Sequence, residues 1–500
     1  MGLSYILLFS LLINYSGSFR EGDWVTYDNF RFITSVAQDQ SYTYFGTTGG
    51  VIRYDRFAKR WLDPMTVTDG IPDKQIDNIA YDPDYDRLWV STRFGDAYYQ
   101  PTFQRWYSGN EFPVALARND FRVGAYPLLT TEFGYFYQNG QITDQQFHSY
   151  QITRGVDDGY FHLYVGTWGL GAGMISTRYG ELDLLRFGPY NDDVSVLVRT
   201  GKTFWMGTGY TNSDEPGITR VDTSLQEWHW YIPQYTDGLA SANLTCALND
   251  KKVTWLGTDY GLVRYEKESD RFTTYGDFAS LPSLDVTSLA ADSVWVYVGT
   301  TNGLGAINRY TERKKAKKSD IDSLSRGIHN PLPDKNRMIG WHINALKKID
   351  NFLYVGTNRG VLRRVIDTYG DFERLNTPEN MLSDDILDIS KNGDSLLFLT
   401  KNDIIVIDTK SGSASTLTDP EYLGSWNLRK FVIDSDHLWA ASDIGLWMYR
   451  FSDSYSRLFT ANDGLISDDI RSIEVVEDYI WMATPKGIVR FLWNRPGRLD

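Results

Sequence analysis

Short runs in which apolar and polar residues alternate fill this chain, broken every few positions by glycine, aspartate or asparagine. One twelve-residue version of the pattern recurs. TWLGTDYGLVRY, Thr254 to Tyr265, returns as TYFGTTGGVIRY from Thr43, LWVSTRFGDAYY from Leu88, VYVGTTNGLGAI from Val296, LYVGTNRGVLRR from Leu353, LWAASDIGLWMY from Leu438 and IWMATPKGIVRF from Ile480. Period-two alternation, β-branched and aromatic content, and a glycine between two apolar runs predict strand, tight turn, strand. Helical spacing is nowhere sustained.

With weaker copies admitted, eleven repeats can be placed. The second position is Tyr44, Trp89, Leu129, Tyr164, Trp205, Trp255, Tyr297, Tyr354, Leu397, Trp439 and Trp481, at intervals of 35 to 57 residues, most near 42. A period of this size marks a solenoid or a propeller. Upstream stands a polar turn and an apolar strand, as in TDGIPDKQIDNIAYD from Thr68, and downstream an aromatic strand such as Trp228 to Tyr231. Four strands per period make one propeller blade. The expected fold is therefore all-β, a β-propeller of four-stranded antiparallel blades with about eleven repeats. Single rings hold about 4 to 8 blades, so two rings are expected. The simplest cut falls within 310–338; a second partition joins the first two blades to the last four. Trp24 to Tyr27 has the character of an outer strand with no blade before it, which suits closure of the last blade. The Thr of each phrase suits bonding to turn amides, and the aromatic suits packing between blades.

D-G-L/I, then an apolar strand, then L-W-x-G-T-x-x-G-L-x-R-Y resembles the two-component regulator propeller repeat over roughly residues 24 to 493. The resemblance implies a propeller like those in extracytoplasmic sensor regions of hybrid histidine kinases and in free-standing exported proteins. The sequence ends at Asp500 without a kinase region, so a stand-alone member without intrinsic signal output is expected. WD-repeat and sialidase-box signatures are not met.

The formal charge of −14 opposes nonspecific binding to nucleic acid or to an anionic membrane, except where a local basic patch prevails. Cys246 is the sole cysteine, which rules out an intramolecular disulfide and a Cys-based metal site. Residues 1–18, apolar to Ile13 and then small or polar, resemble a secretory signal, although no Lys or Arg precedes the apolar run. An uncleaved anchor is the alternative. Residues 19–500 form the propeller array, expected to be exported to the periplasm, cell surface or medium. No later segment reaches the ~18 apolar residues of a membrane helix, so no integral span is expected in the mature chain.

Loops on a rigid scaffold commonly carry binding. The turn between second and third strands opens on the face that carries the most variable residues, and the ligand-binding candidates are Arg93, Trp168, Tyr210, Asn212, Asp214, Glu215, Tyr260, Asn302 and Arg359. The expanded turn GYTNSDEPG, Gly209 to Gly217, breaks the repeat. GTWGLGAG offers Trp168 as a stacking platform. Arg313-Lys-Lys-Ala-Lys-Lys318 reads as a solvated linker. No catalytic residue, metal site or cofactor motif is assigned, since the six histidines lack metal-ligand spacing and no G-x-S-x-G elbow occurs. Recognition of a glycan or a protein partner is favoured. The alternatives are a polymer-acting lyase or hydrolase on this scaffold, and an envelope or secretion assembly factor.

Overall fold

The computed structural model describes residues 22–125, 129–130, 134–144, 148–208, 216–250, 252–276, 281–309, 332, 336–366, 370–376, 383–417 and 426–494. Residues 1–18, expected to be a secretory signal, and the basic run 313–318 lie outside them. The described chain is all-β: eight antiparallel sheets have four strands, one has three, and one has seven. We number the blades by their first strands: blade 1, Ile33–Gln38; blade 2, Ile76–Asp82; blade 3, Ser149–Asp157; blade 4, Val196–Thr200; blade 5, Leu244–Asp250; blade 6, Val286–Ala291; blade 7, Ile343–Ile349; blade 8, Asp388–Asn392; blade 9, Lys430–Asp434; and blade 10, Ser472–Val476.

The repeated phrase is the second strand, the turn and the third strand of each blade. In blade 1 the Thr47 hydroxyl donates to the Gly50 carbonyl (2.8 Å) and accepts from the Gly49 amide (3.0 Å). Thr258, Thr300, Thr357, Ser442 and Thr484 repeat this two-way bond in their own turns. The following glycine takes φ of 131° at Gly50, a conformation that costs a residue with Cβ dearly. Except for Trp89 in blade 2, which is only partly buried, the second-position aromatic is buried against the next blade. Trp255 packs with Val296 and Val298, Tyr297 with Leu353 and Val355, and Trp481 with Leu197 and Phe204. The expected roles of Thr and aromatic are thus met by the geometry.

Blades are also joined along their inner strands. The first strand of blades 1, 3, 5 and 6 carries a bulge, and the extra residue reaches sideways. Thr34 donates to the Ile76 carbonyl (2.6 Å), Thr153 to Ile33 (2.8 Å), Thr245 to Val286 (2.7 Å) and Thr287 to Ile343.

These bonds and the inner-strand contacts give the blade order. Blades 4 to 10 follow one another, and the first strand of blade 10 lies beside that of blade 4, closing a ring of seven. Strand Trp24–Tyr27 pairs antiparallel with Gly487–Leu492 as the outer strand of blade 10, so the first strand of the chain completes the last blade. The remaining blades stand in the order 3, 1, 2. Residues 112–121 link the two ends of this arc: the turn Val114–Leu116 packs on blade 2, and the Asp120 amide donates to the Gly155 carbonyl in blade 3 (2.8 Å).

Three expectations change. The cut within 310–338 does not separate rings, because Thr287 of blade 6 bonds to Ile343 of blade 7 across it. The partition joining the first two blades to the last four is likewise not the arrangement found; the division falls between blade 3 and blade 4. The expected blade around Leu129 does not stand apart either. Its strands, Leu129–Thr130, Phe136–Gln138 and Gln141–Thr143, extend the sheet of blade 3 through the long strand Ser149–Asp157, whose first half pairs with one neighbour and second half with the other. Arc and ring share an apolar core, where Trp61 meets Phe187 (4.8 Å between centroids), Phe187 meets Trp228 (5.4 Å) and Tyr27 meets Trp481 (5.9 Å).

Candidate functional site

Where arc and ring meet, three segments far apart in sequence converge. Asp28 to Phe32 leave the closing strand for blade 1, Asp73 to Gln75 lead into blade 2, and Asp192 precedes blade 4. With the Arg93–Phe94 turn of blade 2 they line a cleft of about 550 Å³. Lys74 reaches Asp28 (3.5 Å) and Asp192 (3.9 Å). Phe32 forms one wall, and the Trp168 ring packs on it at 5.2 Å and 58°, leaving Trp168 48% exposed. The pair is fixed by backbone pairing of Phe32 with Trp168 and by the Gly169 and Gly171 amides, which both donate to the Arg31 carbonyl (3.0 Å each). The Arg31 guanidinium lies over the rings of Phe32 (4.6 Å) and Tyr190 (4.1 Å).

The buried Asp28 sets the electrostatics of the cleft. Burial raises its carboxyl to about 6, and Asp192 adds to this, while Lys74 and the Asn29 amide (2.7 Å) pull the other way. Aromatic faces beside carboxylates and cations suit a ligand with both C–H faces and hydroxyls.

A second cavity, of about 630 Å³, runs along the centre of the seven-blade ring. One wall alternates charge across four blades: Lys347, Asp388, Lys430 and Glu474, with Lys430 paired to Glu474 at 2.8 Å. Burial raises the Asp388 carboxyl, opposed by Lys347 and Lys430. The wall from blades 4 and 5 mixes apolar Val196, Val198, Cys246 and Ala247 with polar Ser195, Arg199 and Thr245. Among the described residues no group of three or more His, Cys, Asp or Glu side chains could hold a metal ion.

The sequence-predicted residues fall into three sets. Arg93 lines the cleft, and Trp168 borders it through Phe32. Tyr260, Asn302 and Arg359 stand on turns of blades 5, 6 and 7, apart from the cleft. There the Asn302 side chain accepts from the Gly340 amide (3.1 Å) and so ties two loops, and Arg359 lies over Trp341 (5.1 Å). Tyr210, Asn212, Asp214 and Glu215 lie outside the described residues. Sequence reasoning missed Asp28, Phe32, Asp73, Lys74 and Asp192. All five lie outside the repeated phrase, and a periodic signal says nothing of which linkers meet.

No family model matches the chain, and no curated protein matches it. Among solved structures it is similar to the extracellular domain of BT4673 from B. thetaiotaomicron, named as a hybrid two component system (TM-score 0.48, 14% identity, 93% of this chain and 70% of that one). It is also similar to PorZ, a bacterial surface component of the type-IX secretion system of Porphyromonas gingivalis (TM-score 0.47, 13% identity, 92% and 68%). A third likeness is to the extracellular domain of BT3049 from B. thetaiotaomicron (TM-score 0.25, 13% identity, 94% and 82%). Likenesses at these scores assign neither ligand nor partner. No helix among the described residues is long and apolar enough to cross a membrane.

Proposed function

We propose that this chain is an exported, sensor-like recognition propeller and that it binds a glycan in the cleft between arc and ring. The observation that carries this reading is the Phe32–Trp168 pair beside Asp28, Asp73, Asp192, Lys74 and Arg93. A pyranose offers an apolar face that stacks on an aromatic ring and a rim of hydroxyls that bond to carboxylates and cations, and the cleft supplies both. Resemblance of the repeat to extracytoplasmic sensor propellers supports export and recognition.

A thermal-shift screen against soluble glycans tests it, because a ligand that binds the native state raises Tm by mass action. A saturable shift is expected, lost in Trp168→Ala and weakened in Arg93→Ala. A shift that both variants retain would place the ligand elsewhere. No shift across neutral, acidic and amino glycans would overturn the glycan reading in favour of a protein partner. Release of shorter products from a bound polymer would instead favour a lyase or hydrolase.

A further inference from the structure

The turns opposite the cleft differ between the two parts of the molecule. In blades 1, 2 and 3, six large side chains stand out from the turns that join first to second and third to fourth strands: Phe57, Tyr85, Phe103, Tyr160, Phe161 and Tyr179. They are 54–81% exposed. Among the described residues, the equivalent turns of the seven-blade ring present one such side chain, Tyr455, which is 42% exposed where the turn of blade 9 enters its outer strand; the first-to-second turns of blades 7 to 10 read Asp350-Asn351, Gly393-Asp394, Ser435-Asp436 and Glu477-Asp478. The blade fold therefore does not require aromatic residues at these places, and soluble proteins seldom leave such a concentration in water without a use.

The backbone beneath these side chains is held. Asp55 accepts from the Phe57 amide (3.0 Å), Asp82 from Tyr85 (3.4 Å), and Asp158 from Tyr160 (2.8 Å) and Phe161 (3.1 Å). The Phe103 amide donates to the Gln100 carbonyl (3.1 Å), and that of Tyr179 to the Ser176 hydroxyl (3.2 Å). The backbone beneath each ring is thus ordered within its own turn. Basic groups accompany them. Lys59 and Arg60 follow Phe57, Arg105 follows Phe103, Arg87 lies 5.1 Å from the Tyr85 ring, and Arg178 lies 5.9 and 5.3 Å from those of Phe161 and Tyr179. The carboxylates of Asp55, Asp82 and Asp158 are engaged with turn amides.

We propose that this face of the arc rests on a phospholipid surface, its aromatic rings at the level of the headgroups and its Arg and Lys side chains on lipid phosphates. Phe, Tyr and Arg pairs suit the interfacial layer, where a ring is half buried and its cationic neighbour stays wet. The rings stand on five separate turns, a spacing that a fluid layer accepts without a complementary shape. The net charge of −14 and the exposed Asp84 beside Tyr85 favour zwitterionic over anionic lipid. Binding here would leave the cleft and its ligand untouched.

The test is co-sedimentation of the full chain with vesicles of phosphatidylcholine and phosphatidylethanolamine. The fourfold variant Phe57→Ser, Phe103→Ser, Tyr160→Ser and Phe161→Ser should lower the bound fraction by at least about five-fold through lost apolar burial. Ile339→Ser, at an exposed apolar residue outside both these turns and the cleft, should leave it unchanged. Should the fourfold variant melt early, Tyr160→Ser alone should still halve binding, roughly, since its ring is 81% exposed and supports nothing in the fold. The proposal is overturned if the parent chain does not sediment with vesicles, which would point to a protein partner for this face. It is equally overturned if the aromatic variants sediment as the parent does, which would assign binding to the apolar stretch before Asn14.

Discussion

The indole of Trp24 lies flat on the ring of Phe491, 3.8 Å between centroids and 6° between planes. The contact joins the first strand of the fold to the last, in register from Trp24 opposite Phe491 to Tyr27 opposite Ile488. Blade 10 has three strands of its own, so the ring of seven closes through residues more than 450 positions apart. Trp24 also packs against Gly464, where a Cβ would meet its ring atoms at 2.6 Å. Trp24→Ala should therefore cost about 3–5 kcal/mol in urea unfolding. Trp168→Ala, with half its ring in water, should cost under about 1 kcal/mol. Equal losses would mean that strand closure adds little.

Asp28 gives the cleft a pH signature. Burial raises its folded carboxyl to about 6 from the ordinary carboxyl value of 3.8. Between these values the folded state holds the proton and the unfolded state does not, so this group makes stability fall as pH rises from about 4 to 6. Above that window the charged, buried carboxylate costs about 3 kcal/mol. Asp28→Asn keeps an oxygen for the Asn29 amide and removes the titration. The variant should melt higher than the parent at pH 7, and the difference should vanish by pH 4. A difference independent of pH would show that Lys74 already neutralises the cost.

Much of the fold is legible in TWLGTDYGLVRY. Thr258 must bond its turn, Gly261 must take positive φ, and Trp255 must fill the gap to the next blade. The phrase recurs because each blade repeats that same local problem. The closing strand was legible too, as an outer strand without a blade. Ring partition was not, because the inner-strand contact that closes blade 10 on blade 4 involves Ser472 and Leu197, whose bond (2.9 Å) leaves no trace in the period. The segment around Leu129 misled for a related reason: strand content predicts pairing without saying with which sheet. Of the cleft, Arg93 and Trp168 could be picked as turn residues, whereas Asp28, Lys74 and Asp192 gain their meaning from how arc and ring pack.

The sideways threonines should behave as separable staples. Thr245 donates to Val286 in the ring, and Thr34 to Ile76 in the arc. Each Thr→Val change keeps the shape and leaves a carbonyl without this donor, which should cost about 1 kcal/mol. The two sites lie in different parts of the molecule, so the double variant should lose the sum within about 0.5 kcal/mol. Urea midpoints of the singles and the double measure this. A loss well beyond the sum would show that arc and ring unfold as one unit coupled through these strands.

Cys246 tests how closed the central cavity of the ring is. Its thiol lies against Gly257, with the Thr245 hydroxyl 3.7 Å away, and burial pushes its pKa up to about 12. At pH 8 roughly one molecule in 10⁴ would carry the reactive thiolate. Yet Cys246 also lines the cavity, so access and acidity act separately here. Iodoacetamide at pH 8 should label the native chain at least about 100-fold more slowly than the same chain in urea. Raising the pH to 10 should speed native labelling about 100-fold if acidity limits the reaction, since thiolate grows tenfold per unit of pH below its pKa. A native rate that ignores pH would mean that opening of the ring, not the thiol, sets the pace. Labelling as fast as in urea would mean that water fills the cavity to its wall at Cys246.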